Sequence, residues 1–112
     1  MKELIEFTEF LEIEKKLEIR IGRVTSMVDV PKSTKLVKLE VDFGDEKRTV
    51  VTNIKPMLKY PRTDLTGLSF PFITNLKPVT MMGIISTAMI LPGDVENGGF
   101  IYVVGKNGER VL

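Results

Sequence analysis

The chain has 112 residues, 43% of them hydrophobic and 28% charged, with a formal net charge of +1. That is one domain's worth of sequence with enough apolar material for a core. It contains no cysteine and no histidine, which excludes disulfides, thiolate metal sites and every Ser–His or Cys–His nucleophilic mechanism.

The charge is unevenly spread. Residues 1–18 carry six acids and three bases, and residues 19–112 carry nine acids and thirteen bases. An acidic lead thus precedes a mildly basic body, which suits a nucleic-acid partner but falls short of a strongly basic footprint. No run of about 18 apolar residues is present to span a membrane. The start, Met1-Lys2-Glu3-Leu4-Ile5-Glu6, is too acidic for a secretory signal. The expectation is a soluble cytoplasmic protein without membrane contact.

Residues 3–16 read as a helix or two short turns. Leu4, Phe7, Phe10, Leu11 and Glu14 fall at helical spacing, Thr8 is a candidate inner cap, and Lys15 and Lys16 lie late, as the helix dipole favours. The preferred role is an amphipathic flap that closes one end of a core. From Leu17 the period becomes two: Leu17, Ile19 and Ile21 alternate with Glu18, Arg20 and Gly22, a half-buried strand whose glycine suggests a bulge or bend. After a loop over 30–34, Val37, Leu39, Val41 and Phe43 alternate with polar positions. The chain then turns at Gly44-Asp45-Glu46 and runs back from Arg48 to Ile54 as a hairpin. Pro56 and Pro61 limit the next segment to a short turn. Leu68–Asn75 reads as a fourth strand, at an edge or bulged because of Pro71. Gly83–Leu91 reads as a fifth strand. Phe100–Val104 with Asn107-Gly108 and Glu109–Leu112 reads as a terminal hairpin. The fold class is all-β with short helices: a five-stranded OB-fold barrel with an N-terminal helix and a C-terminal hairpin extension. A single domain spans 1–112, its core at about 17–91.

The segment Asn75-Leu76-Lys77-Pro78 through Met81, Gly83, Ser86, Met89 and Leu91 resembles the tRNA-binding domain family found at the end of methionyl-tRNA synthetases and in free-standing tRNA-binding proteins. Ile21-Gly22-Arg23-Val24, the loop Pro31–Leu36 and Val50-Val51-Thr52 resemble further family segments in the same order. The likeness covers about residues 10–104. Departures stand at Val30, Ser33-Thr34, Asn53 and Thr80, and each removes charge or changes loop geometry. The resemblance implies a non-enzymatic binder of tRNA, without cofactor, alone or as helper to an aminoacyl-tRNA synthetase. It also implies a homodimer, with residues 1–12 and 92–112 building the interface. Some members resemble export-related chaperones, which makes an unfolded polypeptide the alternative ligand.

An OB barrel exposes one sheet face to oligonucleotides. Arg23, Lys35, Lys38 and Lys77 are the candidate phosphate contacts, each able to release a counterion. Asn75 and Ser86 are short neutral groups suited to phosphate, ribose or a 2′-hydroxyl. Met81 and Met89 are apolar groups able to pack on a base. Each has a bland competitor. Lys38 can be merely solvated, Asn75 and Ser86 can serve only the backbone of the turn, and Met89 can be core. Phe70 and Phe72 read as core in preference to a stacking platform. Asp42, Asp45 and Glu46 read as turn residues in preference to a metal or catalytic cluster.

Overall fold

Strict alternation builds the centre of the molecule. In β2 (Val37–Asp42), Val37, Leu39 and Val41 are buried while Lys38, Glu40 and Asp42 are not. β2 pairs with β1 (Ile19–Asp29) on one side and with β3 (Lys47–Thr52) on the other, both antiparallel. The computed structural model describes residues 1–58, 63–93, 101 and 103–112. Within them the main sheet runs β3-β2-β1-β4-β7, where β4 is Ser69–Ile73 and β7 is Met89–Ile90. β5 (Val79–Met81) and β6 (Ile84–Ser86) form a separate two-stranded hairpin. The sheet curls until β3 meets the β6–β7 segment. Thr87 N donates to Thr49 O at 3.1 Å, and Val51 N donates to Ser86 Oγ at 2.9 Å. This is the expected five-stranded OB-type barrel.

Its interior holds Val24, Leu39, Phe43, Val50, Leu65, Phe70 and Phe72, all fully buried. Phe43 meets Phe72 edge to face at 5.4 Å. Phe70 and Phe72 are core, as the sequence suggests. The turn at Lys55–Met57 is a single 3-10 turn with Pro56 near its start.

Several details differ from expectation. The helix, α1 (Phe7–Lys16), starts later than residue 3, so Thr8 lies inside its first turn and Glu6 takes the cap position without a side-chain bond. It does not close the barrel, because none of its residues is buried. Gly22 is not the bulge, which falls between Val24 and Ser26. A Cβ at Gly22 would sit 2.6 Å from Val41 Cγ1 and 2.7 Å from the Phe43 ring, so packing demands the glycine. β4 is not an edge: it lies between β1 and β7. Pro71 is tolerated there because it sits just past the end of β7, where its carbonyl still accepts from Leu91 N at 2.9 Å.

The expected fifth strand breaks at Thr87-Ala88 into β6 and β7, and its first half pairs with β5. The tip of that hairpin puts Met82 (φ 51°) and Gly83 (φ 80°) in left-handed conformations, as a primed turn requires. The first arm of the expected terminal hairpin lies partly outside the described residues. Residues 108–112 pair with β1: Ile19 N donates to Leu112 O at 2.7 Å, and Gly108 N to Ile21 O at 2.7 Å. They occupy the edge of β1 that β2 leaves open, since β2 ends opposite Arg23. Of the apolar run 100–104, residues 100 and 102 lie outside the described residues, and residues 101, 103 and 104 belong to no strand. Ile21 is consequently buried beneath the tail beside Gly105, while Gly22 and Val24 face the barrel.

Candidate functional site

The broken fifth strand shapes a groove. Where β3 ends, the chain passes Asn53 and Ile54. The β5–β6 hairpin stands beside it, and between them lies a cavity of about 390 Å³. Its walls are Val51, Thr52, Asn53 and Ile54 from the β3 side, and Leu76, Lys77, Val79, Met81, Ser86 and Met89 from the hairpin side. Four of the eight residues singled out by sequence therefore converge here: Lys77, Met81, Ser86 and Met89. Met89 and Lys77 are exposed, and Met81 is half-buried.

Ser86 is buried, and its hydroxyl is committed at the barrel seam. It accepts from Val51 N at 2.9 Å and donates to Ala88 O at 3.3 Å. Lys38 points outward from β2, opposite Val28 of β1 and Val51 of β3. Paired residues share a face, so Lys38 borders the groove through Val51. Lys35 lies in the loop before β2, exposed, with its carbonyl accepting from Lys55 N at 3.2 Å. That places its backbone next to the groove wall at Ile54.

The remaining two candidates lie elsewhere. Arg23 is exposed near the middle of β1, opposite Asp42 and Ser69. It is roughly 16 Å along the strand from Val28, the partner of Lys38. Asn75 works as a clamp: its Oδ1 accepts from Glu18 N at 2.9 Å and its Nδ2 donates to Lys16 O at 2.5 Å. It thus ties the β4–β5 turn to the junction of α1 and β1.

Sequence reading missed a charged lock at the far end of the barrel. Arg20 Nη2 meets Asp45 Oδ1 at 2.7 Å, and Arg20 Nη1 meets Glu46 Oε2 at 3.2 Å. Arg48 Nε meets Glu46 Oε1 at 2.6 Å. Both guanidinium groups lie over the Phe43 ring, at 5.5 and 5.6 Å. Arg20 Nε also donates to Gly108 O, and Arg48 Nη1 donates to Thr74 O and Thr87 O. The hydrogen bond from Arg20 holds the Asp45 carboxyl below its ordinary range, and the bond from Arg48 does the same for Glu46. Hydrogen bonding to Asp45 in turn raises Arg20. The signal for Arg48 was parity: it sits opposite Val41 and two residues before Val50, both of which face the core. Asp45 and Glu46 are thus ion-paired turn residues. Among the described residues, no group of three or more His, Cys, Asp or Glu side chains is placed to hold a metal.

A small closed antiparallel barrel with a cation-bordered apolar groove defines a binding domain of OB type. Residues 19–108 match the family described as "Putative tRNA binding domain", and the chain belongs to that family. The methionine–tRNA ligase of Methanocaldococcus jannaschii is 45% identical over 83 residues, covering 74% of this chain and 12% of the ligase. That of Archaeoglobus fulgidus is 38% identical over 109 residues, covering 96% of this chain and 16% of the ligase. The chain therefore spans less than a fifth of the length of these curated relatives. Among solved structures, a MetRS related protein from Pyrococcus horikoshii superimposes with a TM-score of 0.79 at 34% identity, over 99% of this chain and 100% of that one. The chaperone CsaA from Bacillus anthracis str. Ames superimposes with a TM-score of 0.72 at 25% identity, over 98% of this chain and 100% of that one.

Proposed function

We propose that the chain is a non-catalytic module that binds tRNA by its folded shape and backbone phosphates. The observation that carries this reading is the groove beside β3, with Lys77 in its wall and Lys38 on the adjoining face, in a member of a tRNA-binding domain family. Cations on a fixed surface neutralise phosphates without reading bases. Lys35 extends the basic side toward the 30s loop. The similarity to methionine–tRNA ligases supports a helper role beside a synthetase. Filter binding with bulk tRNA and with a single strand of equal length tests the reading. Tighter binding of folded tRNA, falling steeply with salt, is expected. Equal affinity for the two refutes shape recognition, and no binding to either refutes the RNA reading.

The module acts as a twofold dimer in this proposal. Its support is α1, which leaves Phe7 70%, Phe10 38% and Ile13 49% exposed. An apolar stripe on a helix with no buried residue calls for a partner surface. The tail contributes less backbone than expected, since residues 108–112 are already paired with β1. Sedimentation at micromolar concentration is expected to give a dimer, and a monomer there overturns this part.

A second reading, retention of unfolded polypeptide, has its own support in the exposed Val79, Met82, Ile85 and Met89 around the hairpin and in the likeness to the chaperone CsaA. Apolar retention changes little with moderate salt, whereas phosphate binding weakens steeply. The salt series above therefore separates the two. No helix among the described residues is long and apolar enough to cross a membrane. A cytoplasmic location follows from the tRNA reading.

A further inference from the structure

The groove has a chemical make-up that phosphate binding alone does not use. A surface that follows a phosphate backbone needs cations and open access. This cavity of about 390 Å³ is instead walled mainly by apolar side chains, among them Ile54, Val79, Met81 and Met89. A phosphate does not enter such walls, because removing a charge from water is costly. No described carboxylate lines the cavity, and its charged lining residue is Lys77. Thr52 and Asn53 also line it, and among the described residues their side chains make no hydrogen bond. Asn53 is exposed, so its amide is available as both donor and acceptor.

These three features match the three parts of a nucleotide. Apolar walls accept the flat faces of a base, a free amide and hydroxyl meet the base edge, and an ammonium meets the phosphate. The volume falls in the range of small-ligand sites. We infer that the groove takes one unstacked nucleotide, with its base against Met81 and Met89, its edge against Asn53 and Thr52, and its phosphate on Lys77. This rests on the RNA reading above and extends it, because an unpaired nucleotide is then recognised in addition to the folded outline. An apolar polypeptide segment is the poorer fit, since it brings no anion for Lys77.

The test is competition against labelled bulk tRNA by RNA strands of about 12 nucleotides: four homopolymers, and one strand of ribose phosphate without bases. The strand without bases is expected to compete at least about fivefold less well than the best homopolymer. Asn53→Ala is expected to compress the differences among homopolymers, and Lys77→Ala to weaken all strands alike. Asn53 is exposed, so circular dichroism and urea melting of its variant are expected to match the parent. Equal competition by the strand without bases, an unchanged ranking in Asn53→Ala, or failure of every short strand to displace bound tRNA overturns the inference and leaves the tRNA reading standing. Loss of all tRNA binding by the native chain is the separate failure of that reading. Displacement of a labelled apolar peptide, but not of RNA, on altering Met81 and Met89 assigns the groove to polypeptide and also overturns the inference.

Discussion

Lys77→Ala removes one positive charge from an exposed turn. Among the described residues no carboxylate lies within ion-pair distance of that ammonium, so its charge is not spent inside the protein. The phosphate contact can be given a magnitude. Affinity for a duplex-like polyanion varies with salt with a log–log slope of about −0.9 for each phosphate neutralised. Relative to a 1 M reference, one contact therefore contributes about eightfold, or about 1.2 kcal/mol, at ~0.1 M salt. At ~0.3 M salt the same contact contributes only about threefold. The Kd of Lys77→Ala for bulk tRNA is expected to rise by these factors, and the salt slope to become shallower by about 0.9. Combining it with Lys38→Ala should flatten the slope by about 1.8, because in the proposed binding mode each lysine meets its own phosphate. Lys47→Ala is the control: Lys47 faces Asp42 at the opposite end of β3 from the groove, and the slope should not change. Filter binding across a salt series gives all four slopes. A Lys77→Ala protein with native circular dichroism, unchanged Kd and unchanged slope would falsify the placement of phosphate at the groove.

Other consequences concern what holds the site in place. Gly108→Ala should cost at least about 2 kcal/mol in urea unfolding, because its Cβ would lie 1.9 Å from Phe43 O in a left-handed backbone at φ 87°. A stability equal to the parent would show that the tail is not seated there. Arg48→Met strips the donors from Thr74 O and Thr87 O and should cost about 2–4 kcal/mol by the same measurement. Ser86→Ala leaves the buried Val51 N–H without its acceptor and should cost about 1–3 kcal/mol. A neutral result would mean that the seam closes without that hydroxyl. The pH dependence has a definite sign. Asp45 and Glu46 are depressed in the folded state by Arg20 and Arg48, so their contribution is complete above the ordinary carboxylate range of about 4 and is lost as pH falls below it. The urea midpoint should hold from about pH 7 to pH 5 and fall below about pH 4, less so in Glu46→Gln. A midpoint that Glu46→Gln leaves with an identical acid profile would remove the lock from the explanation.

What is legible in the sequence, and what is not, has a physical cause. β2 was legible because its two faces meet different media, and alternation records that directly. Lys77, Met81, Ser86 and Met89 were legible as a set because one continuous segment, folded by one hairpin, carries them all to the same groove. Asn75 belongs to the same segment, yet its amide is spent on Lys16 and Glu18, which are 59 and 57 positions away. No local pattern announces that. Outward cations on neighbouring strands suggest one shared patch, yet Arg23 lies apart from Lys38 and Lys77. Strand length separates them. The tail and α1 are harder to read for a related reason: apolar periodicity says that a face will be covered, but not by what. Ile21 finds its cover in residues brought from the end of the chain, whereas Phe7, Phe10 and Ile13 stay exposed among the described residues.

Groove and barrel closure turn out to be one feature. A continuous fifth strand would pair along the whole edge of β3 and leave no opening. Here the strand breaks at Thr87-Ala88, and the described hydrogen bonds across the seam run from Thr87 N and Oγ1 to Thr49 O, from Arg48 Nη1 to Thr87 O, and from Val51 N to Ser86 Oγ. Past Val51, no further hydrogen bond joins β3 to the β6–β7 segment among the described residues. Thr52 and Asn53 are left facing a space that the hairpin can only partly cover, and that space is the groove. Ser86 therefore acts on the site through the seam: its short side chain accepts from Val51 and sets how far the hairpin stands from β3. A serine that the sequence offers as a contact for RNA is, in the fold, a group that joins β3 to the β6–β7 segment beside the groove.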